Sequence, residues 1–355
     1  MEQRPPESNR NRHPERGSNN ESMNFLSQEI ITKNRVSITN QLQEIGPGEV
    51  TEEIVTALQT TPKSIPSKYF YNSLGSLLFE EITRLEEYYP TRTEKAILRK
   101  IAPALMKKYG AYEIIELGPG DHSKISILLH AATGMKMKSV RYLPLDISQQ
   151  AIKNSAESLV NDFSNVEIEG YAADFTSQFD LIRREQPAMI CFFGSTIGNF
   201  DWEVSLELLQ NLGRQMKEGD VFLLGMDMIK PLSILHSAYN DARGVTAAFN
   251  KNILNSVNDL IEADFHAGDF DHLAFFNKER SRVEMHLVAK DDLTVHSPCF
   301  DEDLLLMQGE SIHTENSHKY NTGHIREISD ATGLQLNHIH TDDREWFSVA
   351  EFQKL

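Results

Sequence analysis

From Val50 onward the chain alternates between hydrophobic rhythms. In "SLGSLLFEEITRLEEYYPTRTEKAILRKIAPAL", residues 73–105, apolar side chains recur every three or four positions, which predicts two helices broken at Pro90. Beyond them, the runs "YEIIEL", "VRYLPLD", "VEIEGYAADF", "MICFFGS" and "DVFLLGMDM" are short, apolar and mostly spaced widely enough for a helix. That alternation predicts right-handed βαβ crossovers and a parallel sheet covered on both faces. After Lys230 the rhythm changes. Residues 231 to about 281 read mainly as helices and loops, including "SAYNDARGVTAAFNKNILNSVNDLI", while "SRVEMHLVAK" and "LTVHS" read as strands of a separate antiparallel unit. The C-terminal "LQLNHIHTDDREWFSVAEF" reads as two strands around the turn-forming "TDDRE", a hairpin that would close the first sheet.

Composition narrows the classes. With 355 residues and 40% hydrophobic content, the chain has material for one large domain or two linked lobes. Residues 1 to 22 hold no large apolar side chain beyond the initiator Met and read as a disordered tail. Acids outnumber bases 52 to 35, a net charge of −17, which argues against a nucleic-acid partner, since binding phosphates relies on Lys and Arg. Only two cysteines occur, Cys191 and Cys299, a usage that fits a reducing, cytoplasmic setting. No apolar stretch approaches the roughly 20 residues of a membrane span, and no secretory signal is apparent.

The loop after the first apolar run, "ELGPGDHSK", carries the first chemistry. In an open α/β sheet, ligands sit beyond the carboxyl ends of the strands, where glycines let the backbone approach. Gly118 and Gly120 occupy that place. A dinucleotide fingerprint would want a third Gly or Ala where this chain has Ser123, and Pro119 removes a backbone donor from any phosphate cradle. Acids recur near strand ends as Glu116, Asp146 and Asp174. A ribose needs a bidentate acceptor, an adenine amino group needs a side-chain oxygen, and a cationic ligand gains from carboxylates. Taken singly, each residue would equally be punctuation in a βα turn. Their order resembles the class I methyltransferases that use S-adenosyl-L-methionine.

Four further motifs sharpen the resemblance: "YNSLGSLLFEEITRLEEYYPTRTE", "FFGSTIGNF", "AYNDARGVTAAFN" and "GESIHTENSHKY". Together they resemble the histidine-specific Nα-methyltransferase family, which makes hercynine on the route to ergothioneine, and the likeness runs from about Ser64 to the C-terminus. It implies a Rossmann-like, mostly parallel sheet ending in an antiparallel hairpin, plus an α+β substrate-binding lobe. It divides the chain into a disordered tail (1–30), a substrate-binding lobe (31–92 and 229–319) and a cofactor-binding methyltransferase domain (93–228 and 320–355). A monomer acting on a free amino acid, without metal, is the matching expectation.

Carried over by position, the resemblance puts cofactor contacts on Gly118, Lys124, Asp146, Asp174 and Phe175. Glu116 and Gly120 join them from the loop reading. The amino-acid pocket falls on Tyr88, Asn199, Tyr239, Glu315 and Ser317, with Tyr71 covering the amine and Met285 packing near the ring. Amine methylation needs a neutral lone pair held in line with the methyl group, so positioning is the main demand and no covalent nucleophile is required. Tyr71 and Tyr88 are expected at the reacting amine, the Asn199 amide is expected to hold the α-carboxylate or the amine, the Tyr239 hydroxyl is expected to donate to the carboxylate, and Glu315 and Ser317 are expected at the two imidazole nitrogens. Without the resemblance, Tyr88 and Met285 would read as packing residues, Asn199 as a helix cap and Glu315 as a solvated loop acid. His313 and His318 flank Glu315, and His338 and His340 alternate on one strand, but none has recognisable metal-site spacing. The competing functions are methylation of a tryptophan-type amine and, from another class, a dinucleotide-dependent oxidoreductase.

Overall fold

The computed structural model describes Met1 and residues 28–33, 35–42 and 46–355. A hairpin of β1 (Gln28–Lys33) and β2 (Val36–Asn40) leads into helices α1 (Pro47–Gln59), α2 (Ser73–Thr83) and α3 (Tyr89–Tyr109). Pro90 sits in the first turn of α3, where its missing N–H leaves no helical bond unmade. Strands and helices then alternate: β3 (Glu113–Leu117), α4 (Ile125–Gly134), β4 (Val140–Asp146), α5 (Gln149–Asp162), β5 (Val166–Ala172), β6 (Ala188–Phe192), α6 (Trp202–Gln215) and β7 (Val221–Asp227). The remainder comprises α7 (Leu232–Tyr239), α8 (Val245–Ile261), β8 (Phe270–Asn277), β9 (Arg282–Ala289), β10 (Leu293–Val295), β11 (Leu304–Leu306), β12 (Ser311–His318), α9 (Thr322–Thr332), β13 (Gln335–Thr341) and β14 (Phe347–Gln353).

One sheet runs in the order β1-β2-β5-β4-β3-β6-β7-β14-β13. It is parallel from β2 to β7 and antiparallel at both edges. This is the class I methyltransferase arrangement, with β13 and β14 as the closing hairpin. The strands are apolar on both sides because both faces are covered: Ile114, Val221 and Leu223 pack on α3 and α4, whereas Ile115, Phe222 and Leu224 pack on α6 and α9. Strand order reverses between β3 and β6, so the loops after those two strands flank the crevice where such sheets bind ligands.

The second lobe has a core of its own. The sheet β12-β9-β8 and the hairpin β10-β11 pack with α1, α2, α7 and α8 around Leu58, Phe70, Phe249, Ile253, Met285 and Ile312. Here the structure departs from the sequence reading. Strand β8 lies in a region read as helices and loops, because Leu273 and Phe275 put exposed apolar side chains on the face opposite Phe270 and Ala274 and blur the alternation. The "LTVHS" strand, β10, pairs with β11 and not with β9. Strand β12, to which the sequence reading assigned no element, is a long polar strand paired with β9. Residues 35–40, expected in the substrate-binding lobe, join the central sheet: β2 pairs in parallel with β5, and the Arg35 guanidinium donates to the carbonyls of Val160, Phe163 and Val166, from the end of α5 to the start of β5. Of the expected tail, residues 2–27 lie outside the described residues, and Gln28–Ile30 belong to β1.

Candidate active site

The carboxyl ends of β3, β4 and β5 form one side of the site. After β3, Gly118 and Gly120 adopt φ of +57° and +56°, left-handed backbone that a side chain would strain. The Gly118 N–H donates to the Leu145 carbonyl at 2.9 Å, tying the loop to the end of β4. A Cβ on Gly118 would lie 3.7 Å from the Phe175 ring, so the glycine keeps a shallow space open before that ring. Asp146 is half-buried and accepts from the Ser148 N–H at 2.7 Å. Burial pushes its pKa up, while the N–H groups of Ser148, Gly120 and Ile147 pull it down. Asp174 is half-buried and accepts from both the N–H and the hydroxyl of Thr176. Open glycine backbone, an aromatic face and two acids at neighbouring strand ends are the donor set that an adenosine with a cationic tail requires.

Glu116 does not join them. It is buried beneath the loop, where the Tyr142 hydroxyl donates to it at 2.6 Å, and burial raises its pKa to about 8. Burial thus favours its protonated form. The Lys124 ammonium lies 3.1 Å from the buried Glu94 carboxylate. Glu94 also accepts from the Gly194 N–H at 2.9 Å, and reaches it because β7 has no side chain at Gly225, where a Cβ would lie 2.1 Å from Glu94 Oε1. The pair thus links the glycine loop to the loop after β6.

Across that loop lies a cleft of about 630 Å³, counted out to its open mouth. Its lining includes every residue assigned to the amino-acid pocket: Tyr71, Tyr88, Asn199, Tyr239, Met285, Glu315 and Ser317. Tyr71 follows the 3₁₀ turn Ser67–Phe70, and Asn199 ends the turn Thr196–Asn199. Tyr71 is 48% exposed as a residue and lines the cleft, where desolvation with Glu315 and Asp146 nearby pushes its pKa up. Burial and the neighbouring Tyr239 and Glu315 likewise raise Tyr88. The hydroxyls stay neutral across the physiological range.

A bulge puts the polar pair in place. In the β12–β9 ladder His313 faces His286, but Glu315 faces Met285, so Thr314 is an extra residue. Side chains alternate along a strand, and without the bulge Glu315 would share the face of His313. With it, Glu315 and Ser317 share the face of Met285, and His313 turns to Asn316 and His286 instead. The Thr314 hydroxyl pins the bulge, 2.6 Å from Asn250 Oδ1 and 3.0 Å from the Met285 carbonyl. Burial raises the Glu315 carboxyl to about 7, with Lys319 pulling the other way.

Beneath the cleft is a network that sequence reasoning passed over. Asp227 accepts from the Tyr89 hydroxyl at 2.7 Å and from Lys230, and lies 3.2 Å from Lys319 Nζ. Lys319 donates to Ser317 Oγ at 2.5 Å and to Tyr239 Oη at 3.0 Å. The Tyr239 and Ser317 hydroxyls share a hydrogen bond at 2.7 Å. Burial lowers the pKa of both lysines, that of Lys230 to about 8, and Asp227 opposes it in each case. Asp227 ends a strand run just as Asp146 does, and that signal was available. Lys319 and Glu94 stand inside quoted motifs with nothing local to mark them.

The chain is also similar to known proteins. The family described as "Histidine-specific methyltransferase, SAM-dependent" matches residues 50–354. The histidine N-alpha-methyltransferase of Mycolicibacterium smegmatis is 36% identical over 317 residues, covering 89% of this chain and 98% of its own. That of Mycobacterium tuberculosis is 35% identical with the same coverage. The L-tryptophan methyltransferase trpM of Psilocybe serbica is 24% identical over 315 residues, 81% of this chain and 87% of its own. The chain belongs to the histidine-specific, S-adenosylmethionine-dependent methyltransferases.

Proposed function

We propose that this methyltransferase acts on the α-amine of free L-histidine, in three successive transfers that give hercynine. The observation that carries the reading is Glu315 and Ser317, an acceptor and a hydroxyl, side by side on the pocket face of β12. An imidazole answers both, whereas an indole offers an N–H but no second nitrogen.

Gly118, Gly120, Lys124, Asp146, Asp174 and Phe175 would hold S-adenosylmethionine, which when bound supplies the electrophilic methyl group. The chain's own work is positioning. Asn199 binds the α-carboxylate through its amide. Tyr71 and Tyr88, neutral by burial, hold the amine hydrogens so that the lone pair points toward the cofactor side. Phe79, Ile82, Ala238 and Phe249 wall the cleft and exclude water. Met285 packs against the ring.

Calorimetric titration with S-adenosylmethionine, NAD, histidine and tryptophan, followed by mass spectrometry of the products, tests the reading. Binding of S-adenosylmethionine and methylated histidine are expected. Faster turnover of tryptophan, or NAD binding with no methylated amino acid, would overturn it.

A further inference from the structure

Asn250 of α8 is fully buried, next in sequence to Phe249 of the cleft wall. The His286 carbonyl lies 2.9 Å from its amide nitrogen, and a carbonyl only accepts, so Nδ2 faces β9 and Oδ1 faces the Thr314 hydroxyl, 2.6 Å away. Nδ2 also lies 2.9 Å from His272 Nδ1, while the other ring nitrogen, Nε2, lies 2.9 Å from the Tyr239 carbonyl. An amide NH2 donates and a carbonyl accepts, so His272 has a bare Nδ1 and carries its hydrogen on Nε2. Burial holds its pKa down, against the pull of the Tyr239 carbonyl. Tyr239 ends α7, where carbonyls lack helical partners, and the His272 Nε2–H supplies one. Each contact thus adjoins the amino-acid pocket: Thr314 precedes Glu315, His286 follows Met285, and Tyr239 is reached through His272. None of these partners belongs to the cofactor side.

Resting on the histidine reading above, we propose that Asn250 is a positioning residue of the amino-acid pocket, which fixes His272 as the Nε2–H tautomer and so holds Tyr239, Met285 and Glu315 in one arrangement. Asn250 touches no substrate atom in this role. It acts through the three walls it joins.

Asn258 provides a control on the same helix. Its amide donates to the Phe265 carbonyl at 2.8 Å and accepts from the Phe265 N–H at 3.0 Å, which holds the loop after α8 and not the pocket. The test measures KM and kcat for histidine, cofactor Kd and Tm in Asn250→Leu, His272→Phe, His272→Gln, the Asn250→Leu/His272→Phe double variant and Asn258→Leu. Asn250→Leu and His272→Phe should each raise histidine KM about tenfold, the size of one hydrogen bond, with a smaller change in kcat and an unchanged cofactor Kd. His272→Gln should stay within about twofold of wild type, because its amide NH2 takes the place of the Nε2–H. The double variant should fall well short of the product of the two single effects, since both act through one shared contact. Asn258→Leu should lower Tm while histidine KM stays within about twofold, because no pocket contact is removed. In the wild type without substrate, the nitrogen–proton spectrum of histidine-labelled enzyme should show His272, assigned by its loss in His272→Phe, as the neutral Nε2–H tautomer. A hydrogen on Nδ1, full multiplication of the two effects, or an equal KM rise in Asn258→Leu would overturn the proposal and leave Asn250 a core amide. Should Asn250→Leu fail to fold, His272→Phe decides alone, since that ring is only half-buried, and an unchanged histidine KM there would equally overturn it. Wild-type enzyme that fails to methylate histidine would instead remove the functional reading itself, a result visible before any variant is made.

Discussion

The loop after β3 and the strand β12 line neighbouring parts of one crevice, yet they are built by opposite means. On the cofactor side the work is done by backbone: left-handed Gly118 and Gly120, N–H groups around Asp146, and acids at strand ends, all placed by the parallel sheet itself. On the amino-acid side it is done by side chains held by other side chains: a bulge pinned by Thr314, two hydroxyls held by Lys319, and a carboxylate shared by two lysines. The first kind of site tolerates changes beneath it, while the second should transmit them.

Asp146→Ala should have the largest effect. A charged hydrogen bond contributes about 1.5–3 kcal/mol, so cofactor Kd should rise roughly tenfold to a hundredfold per bond lost. Calorimetry reads it, and unchanged affinity would break the ribose assignment. Thr314→Val comes next, because it removes the one hydroxyl hydrogen that Asn250 Oδ1 and the Met285 carbonyl share in a buried place; about 1–3 kcal/mol of stability should be lost. If the bulge aims Glu315, histidine KM should rise in that variant with cofactor Kd unchanged. A rise in both would mean that the two sides are not separable.

The pH dependence is subtler. As pH falls through about 7, Glu315 takes up a proton and stops accepting from the ring, so kcat/KM for histidine should fall on the acid side. Glu315→Gln should lack that limb. The sign for folding follows from linkage: burial favours the protonated form, so this group's contribution to stability is present below the ordinary carboxyl range and lost as pH rises through about 7. The smallest effect should come from Glu116→Gln. The amide resembles the protonated acid already there, so Tm should move by the equivalent of less than about 1 kcal/mol and cofactor Kd should hold. A large loss of affinity would return Glu116 to the cofactor site.

The same contrast explains what could be read from the chain. Strand ends, glycines and Asp146 were legible because a parallel sheet writes its ligand crevice into sequence order. The burial of Glu116 was not legible, because the strand pattern does not tell which face a terminal acid takes. Strand β12 was hidden because its residues are nearly all polar, and Glu315 and Ser317 were found only through family likeness. Lys319 was illegible for a physical reason: its role depends on a contact with Tyr239, 80 positions away in sequence, that only folding creates.

The most direct test of the claim that Glu315 reads the imidazole is kcat/KM for histidine and tryptophan in wild type and Glu315→Ala. Removing the acceptor leaves the ring N–H unpaired, so histidine should lose about 1–3 kcal/mol of binding, or more if the bond is charge-assisted. The space beside Met285 should then admit an apolar ring better, and the tryptophan-to-histidine ratio should rise. A variant that kept the wild-type preference for histidine would make Glu315 a bystander in the pocket and contradict the claim.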